Sequence, residues 1–172
     1  YKTTFKVPHR YTHAELLFDG AMSEPEVYVN GKLAGKWACG YNAFRVDATP
    51  FLKAGDNEVT VKLTNKELSS RWYPGGGLYR PVKLVLSGDD AIDIWGVSVT
   101  TPKVSRSAAT VSADITLREG CSEELDAEIS VLDDKGETIL SKEETVSHGR
   151  LNTQLELVRP ELWAPESPHL YT

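Results

Sequence analysis

No stretch of this chain approaches the roughly 18 consecutive apolar residues that cross a bilayer as a helix, which excludes a helical membrane span. It has no Lys/Arg-rich run, and its net charge is −6, so nucleic acid is excluded as a partner on electrostatic grounds. Cysteine is scarce: Cys39 and Cys121 stand far apart, and neither has a neighbour at metal-ligand spacing. The expectation is two buried or half-buried free thiols and no metal site. No segment sustains apolar residues at helical spacing over about 11 residues. Internal repeats and low-complexity stretches are missing as well. The glycine run Gly75-Gly76-Gly77 leads toward a strand and not a helix N-terminus, so it does not read as a phosphate cradle. The chain opens at Tyr1 without a methionine and reads as a piece of a longer protein.

What is present is β structure. Ala109, Val111, Ala113, Ile115 and Leu117 alternate strictly with polar residues, the period-two pattern of a half-buried strand. Leu125, Ala127, Ile129 and Val131 repeat it, as do Val59, Val61 and Leu63 earlier. Asn30-Gly31 between Val27-Tyr28-Val29 and Lys32-Leu33 predicts a two-residue hairpin turn with both central residues at positive φ. Gly31 is also read as a place where a Cβ would clash. Asp133-Asp134-Lys135-Gly136 predicts a second hairpin loop with Gly136 left-handed. Thr49 to Gly55 reads as one helical turn, with Thr49 the cap, Pro50 the first residue and Gly55 the stop. Asp47 is placed to accept N–H groups of that turn.

A boundary is expected near Ser87-Gly88-Asp89-Asp90, which is small and polar and follows a strand. The fold expectation is all-β in two modules, 1–88 and 89–172. The second has short strands near 92–100, 108–119, 126–133, 137–144 and 151–158, and this even spacing suggests an immunoglobulin-like β-sandwich.

The segment Ser70-Arg71-Trp72-Tyr73-Pro74-Gly75-Gly76-Gly77-Leu78-Tyr79-Arg80-Pro81-Val82 concentrates arginine, large aromatics and glycine where no helix can form. A strand is expected from Leu78 to Leu86. Aromatic faces and a guanidinium on a rigid loop suit a polyhydroxylated ligand, so Asn65, Arg71, Trp72 and Tyr73 are the candidate substrate-binding residues. The alternative is structural: Trp72 and Tyr79 in the sandwich core, and Arg71 bracing the loop. Arg80 is expected to form a buried ion pair or to bond loop carbonyls through its planar fork. His9 and His13 have helical metal spacing but no third ligand, so they read as solvated loop histidines in a turn before a strand. Glu123-Glu124, Asp133-Asp134 and Glu143-Glu144 are neighbours on strands or turns, and strand neighbours point to opposite faces, so they do not converge as an acid/base pair. Ser69 and Ser70 lack a positioned His and Asp. The chain therefore offers no catalytic residue and calls for no cofactor.

The run Arg-Trp-x-x-Gly-x-Gly-x-Tyr-Arg at 71–80 resembles the end of the N-terminal sandwich domain of glycoside hydrolase family 2. Further motifs follow in the family's order: Phe18-Asp19-Gly20 with Val27-Tyr28-Val29-Asn30-Gly31-Lys32, then Gly40-Tyr41 through Phe44, Val46, Asp47 and Thr49, then Gly55-Asp56-Asn57 with Val59 and Val61. Leu162-Trp163-Ala164-Pro165-Glu166-Ser167-Pro168-His169-Leu170-Tyr171 is similar to the run closing its immunoglobulin-like domain. The resemblance implies that 1–88 is a jelly-roll, galactose-binding-like sandwich lacking its first strands. It implies that both catalytic glutamates lie on a (β/α)₈ barrel following Thr172, and that the parent is a β-galactosidase-like enzyme acting on a carbohydrate. It further implies that these domains pack on the barrel, that residues 65–73 wall one side of the sugar pocket, and that the parent can form a homo-oligomer. The localisation stays open; a periplasmic or secreted parent fits polysaccharide-degrading bacteria. Two other readings are a stand-alone carbohydrate-binding module with Trp37, Tyr41, Trp72 and Tyr73 as its platform, and a structural sandwich pair of a surface protein.

Overall fold

The structure is a computed structural model, and it describes residues 1–8, 10–66 and 75–172. Among the described residues all strand pairing is antiparallel, and the one helical element is a single 3₁₀ turn, Thr49–Phe51. The fold class is all-β, of the sandwich type. The chain divides into two compact units, Tyr1–Gly88 and Asp89–Thr172.

In the first unit, β1 (Lys2–Val7), β3 (Glu26–Val29), β4 (Lys32–Lys36) and β6 (Gly55–Lys62) form one sheet, in the order β1-β6-β3-β4. A second sheet has the order β5-β2-β7, from β2 (His13–Phe18), β5 (Phe44–Asp47) and β7 (Val82–Ser87). Alternation places Val27 and Val29 of β3, Val59 and Val61 of β6, Leu16 and Phe18 of β2, and Phe44 and Val46 of β5 in one shared core. Asn30 and Gly31 take φ of +49° and +79°, as the β3–β4 turn requires. No heavy atom lies within 4 Å of a Cβ built on Gly31, so its conformation and not a clash demands glycine. The Asn30 amide also donates to the Phe51 carbonyl and to Asn57 Oδ1, both at 2.8 Å, tying the hairpin to the 3₁₀ turn.

That turn departs from the expected helical turn. Its cap position is Ala48, without a side-chain hydrogen bond, and it ends at Leu52. The Thr49 hydroxyl instead accepts from the Ala14 amide at 3.0 Å, because β2 runs alongside with a donor to satisfy. Asp47 Oδ1 does accept the Thr49 amide, at 2.9 Å. Gly55, at φ +82°, opens β6 rather than stopping a helix.

In the second unit, β8 (Ile92–Val104), β9 (Ala108–Leu117), β10 (Glu124–Leu132), β11 (Thr138–Ser147) and β12 (Arg150–Val158) are ordered β10-β11-β12-β9-β8. β11 and β12 share one register pair, Ser147↔Arg150, across the tight turn at His148-Gly149. Beyond it the hairpin splays, so Ile129, Val131 and Leu140 of β10–β11 pack across onto Val111 of β9 and Leu155 and Leu157 of β12. Gly136 is left-handed, at φ +80°, and Asp133 Oδ1 accepts the Lys135 and Glu137 amides. Those two backbone donors hold the Asp133 carboxyl below its ordinary pKa. A Cβ at Gly96 would lie 2.3 Å from the Thr116 carbonyl oxygen, so the irregularity in β8 that leaves Trp95 at φ +62° is built on a close backbone approach.

Several side chains differ from expectation. Cys39 is exposed and Cys121 half-buried, and both are free thiols. His13 lies in β2 and not in a turn before it, while His9 lies outside the described residues. Leu78 to Pro81 is irregular, and the strand begins at Val82. Pro81 has no N–H to give a ladder, and Tyr79 is drawn aside to bond Gly40.

Candidate functional site

The candidate binding segment leaves and rejoins the first unit through a root whose two sides touch. On the outgoing side, the Thr64 amide donates to the Ser23 carbonyl at 2.9 Å, and the Ser23 hydroxyl donates to the Thr64 carbonyl at 2.7 Å. Lys66 then reaches Glu24 Oε1 at 2.5 Å. On the returning side, Met22 and Gly77 exchange both backbone hydrogen bonds, at 3.0 and 2.9 Å. Gly76 lies against Asn65, so closely that an added Cβ would sit 3.4 Å from Asn65 Cβ. The three residues from Met22 to Glu24 thus lie beside both ends of the segment. Four hydrogen bonds to backbone groups and one ion pair hold the described residues on either side of the segment.

Behind the root, Tyr79 donates from its hydroxyl to the Gly40 carbonyl at 2.9 Å. A Cβ on Gly20 would lie 2.7 Å from that hydroxyl, and one on Gly40 would lie 2.4 Å from the Met22 sulfur. These glycines are therefore needed for close approach. Tyr79 is 46% exposed, so it braces the loops and is not a core residue, contrary to the structural alternative. Arg80 is exposed; its Nη1 reaches the Asp19 carbonyl at 3.4 Å, and its guanidinium carbon sits 5.3 Å from the Tyr79 ring centroid. Of its two expected roles, the carbonyl bond is the one it takes, and no buried ion pair forms because the group stays at the surface. Lys83 neutralises Asp19 at 2.8 Å.

Asn65 is exposed at the root of the segment. Arg71, Trp72 and Tyr73 lie outside the described residues, as do Ser69 and Ser70. Trp37 and Tyr41, on the neighbouring 37–43 loop, are 41% and 59% exposed. Trp37 lies flat on Phe44, with centroids 5.7 Å apart and planes within 7°, and Phe44 lies flat on Phe18 at 4.6 Å. The indole is therefore the outermost ring of a stack that begins in the core, and one of its faces is already occupied. Sequence reasoning missed the scaffolding parts of Ser23, Met22, Gly40 and Tyr79. Only glycine spacing hinted at them.

Elsewhere, Glu26 accepts from Lys36 Nζ at 2.5 Å and from the Tyr28 hydroxyl at 2.8 Å. The Lys36 bond, then the Tyr28 bond, lowers its pKa to about 2 from 4.5. The same contact pushes the Lys36 and Tyr28 pKa values up. In the second unit Glu144 is held below its ordinary pKa by Lys142 and then by the Thr153 hydroxyl. Asp126, Glu128, Glu143 and Glu144 border a shallow acidic surface there. Among the described residues no group of three or more His, Cys, Asp or Glu could hold a metal ion, and no helix is long and apolar enough to cross a membrane.

Comparison with known proteins decides the family. The model of the glycosyl hydrolases family 2 sugar binding domain matches residues 1–98, and that of glycosyl hydrolases family 2 matches residues 92–172. The chain belongs to glycosyl hydrolase family 2. It is 34% identical to the β-galactosidase BoGH2A of Bacteroides ovatus, over 90% of this chain and 19% of that protein. It is 31% identical to a β-glucuronidase of Bacteroides fragilis, over 91% of this chain and 25% of that one. A solved β-glycosidase from Bacteroides vulgatus superposes with a TM-score of 0.89 and 30% identity, covering 99% of this chain and 22% of that structure. A family 2 member from Bacteroides cellulosilyticus gives 0.93 and 26%, covering 99% of this chain and 25% of that structure. The family 2 chain described here spans between 15% and 25% of the length of such relatives.

Proposed function

We propose that these two units are the non-catalytic β portion of a longer retaining β-glycosidase: a jelly-roll sandwich followed by an immunoglobulin-like one. They brace a catalytic barrel, and the 65–73 segment forms one wall of its sugar pocket. The observation that carries the reading is the doubly tied root of that segment. The described residues on either side of the candidate segment are tied to the first unit, by Ser23–Thr64 before it and by Met22–Gly77 after it. Such fastening lowers the ordering cost of binding, which is what a pocket wall needs. Hydrolysis itself belongs to two carboxyl groups about 5 Å apart in a retaining site, and we assign neither to this chain.

For the sugar, a terminal β-galactoside is the first substrate to try, given the likeness to a β-galactosidase; a β-glucuronide is the second, given relatives with that name. A cationic Arg71 suits either, donating to hydroxyls or to a carboxylate.

The test is Arg71→Ala in the longer enzyme, assayed on aryl β-galactoside and aryl β-glucuronide. Loss of a charged hydrogen bond corresponds to a fall of about 10- to 100-fold in kcat/KM, with an unchanged melting temperature. Unchanged kinetics, or activity lost only with the fold, removes the pocket-wall role.

A further inference from the structure

The 37–43 loop carries aromatic residues that the pocket-wall reading does not use. Trp37 and Tyr41 are 41% and 59% exposed. A large aromatic ring kept at the surface in one fixed orientation is a feature of recognition sites. Trp37 is held in two ways. Its amide donates to the Pro25 carbonyl at 3.1 Å. Its ring lies flat on Phe44, which lies flat on Phe18 in the core, so the stack fixes the plane of the indole from beneath. One face is covered by Phe44 and the residue is still exposed, so the opposite face is the open one.

The loop is fixed at a single buried residue. Gly40 is buried, whereas residues 36–39 and 41–43 are exposed. The Tyr79 hydroxyl donates to the Gly40 carbonyl at 2.9 Å, and a Cβ on Gly40 would lie 2.4 Å from the Met22 sulfur. Met22 is the residue that pairs with Gly77, and Tyr79 lies just beyond Gly77 in the chain. The loop and the returning side of the 65–73 segment are therefore fastened to the same few residues, at one end of the first unit.

We infer that Trp37 is a stacking platform for a second sugar ring, the one on the leaving-group side of a terminal β-glycoside, so that the substrate class is a β-linked oligosaccharide. The inference rests on the pocket-wall reading for the place of the terminal sugar: a sugar held by the segment has the 37–43 loop as its neighbour. In a substrate cleaved at its terminal residue, the next ring belongs to the leaving group. A pyranose ring fits the open indole face, because its C–H groups form an apolar side while its hydroxyls stay at the rim. Tyr41 and Asn42, both exposed on the same loop, supply a hydroxyl and an amide for that rim. A platform fixed before the ligand arrives loses little freedom on binding, so the contact appears as affinity.

The test uses the longer enzyme and two substrates with the same terminal sugar, galactose or glucuronic acid, whichever it accepts. One is the methyl β-glycoside, which has no second ring, and the other is a β-linked disaccharide. Trp37→Ala is expected to raise KM for the disaccharide about 10-fold, the effect of one lost ring stack, and to leave kcat unchanged. KM for the methyl glycoside stays the same, and Trp37→Phe, which keeps a ring, restores most of the disaccharide affinity. Equal effects on the two substrates, or none on either, overturn the inference. Arg71→Ala lowers kcat/KM on both substrates if the segment walls the pocket, so the two readings fail separately. If Trp37→Ala does not fold, hydroxyl-radical oxidation of the unsubstituted longer enzyme, read by mass spectrometry, decides. Protection of Trp37 by a sulfur-linked disaccharide, but not by the methyl thioglycoside, supports the platform. Absence of that protection overturns it, as does a Trp37 that is unreactive in the free enzyme, which would mean that other parts of the longer protein cover the indole.

Discussion

In the first unit Phe18, Val27, Val29 and Phe44 are no more than 2% exposed between two facing sheets. In the second, Val146 and Leu155 reach 3% and 4%, while Val99, Trp163 and Leu170 stay more than half exposed. The period-two patterning of the strands is equally regular in both. The difference is coverage: β5-β2-β7 roofs the core of the first unit, whereas β10–β11 alone roofs that of the second and leaves an apolar trough beside it. Alternation tells which face of a strand is apolar, and the number of strands brought opposite decides whether that face is dry.

The comparison is broken most directly by truncating one core side chain in each unit. Phe18→Ala removes a fully buried ring stacked on Phe44, and a loss of about 3–5 kcal/mol is expected from urea unfolding followed by circular dichroism. Leu157→Ala, on the wall of the trough, is expected to cost about 2 kcal/mol, the low end for such a change, since water already reaches that face. Equal losses would mean that the two cores are equally closed in solution.

A smaller effect is expected at Asn57, which is 1% exposed. Its amide donates to the Lys53 and Gly55 carbonyls, and its oxygen accepts from the Lys53 amide and the Asn30 side chain. Asn57→Ala strands these partners and should cost about 1–3 kcal/mol, with the melting temperature as readout. A neutral result would show that water replaces the amide.

The smallest change is with pH. The folded pKa of Glu26, about 2, lies below its ordinary 4.5. Its stabilisation is therefore complete above pH 4.5 and is lost as the pH falls toward 2. Glu26→Gln should flatten the decline of the melting temperature between those values while leaving a small deficit at pH 7. An identical acid decline in both proteins would remove the role given to the Lys36 contact.

Much of this architecture could be read before any coordinates. Val27-Tyr28-Val29-Asn30-Gly31 announced its hairpin because a two-residue turn needs two positive φ angles, and Asn-Gly supplies them at low cost. Strands around 92–100, 108–119, 126–133, 137–144 and 151–158 were visible because alternation is a local consequence of the pleat. Thr49 misled, since a hydroxyl beside a proline suits a cap until a neighbouring strand offers a better partner. Tyr79 misled for the same reason: an aromatic near a strand reads as core unless a distant carbonyl, here that of Gly40, draws it aside. At the candidate site, the residue types were legible at Asn65, Arg71, Trp72 and Tyr73, but the contacts among the described residues that flank the segment were not. Ser23 and Thr64 are 41 positions apart, and nothing local to either announces the other.

The sequence by itself determined the all-β class, the two hairpin turns at Asn30-Gly31 and Asp133–Gly136, and the family, because these depend on residue order over spans of a few to a dozen positions. Tertiary structure alone decided that β11 and β12 part after one register pair, that Met22 and Gly77 clasp, and that Thr172 lies against Leu132 with a trough beside them. The physical reason is the same each time. A backbone hydrogen bond carries no mark of its partner's identity, so which distant peptide satisfies it is settled only when the chain has packed.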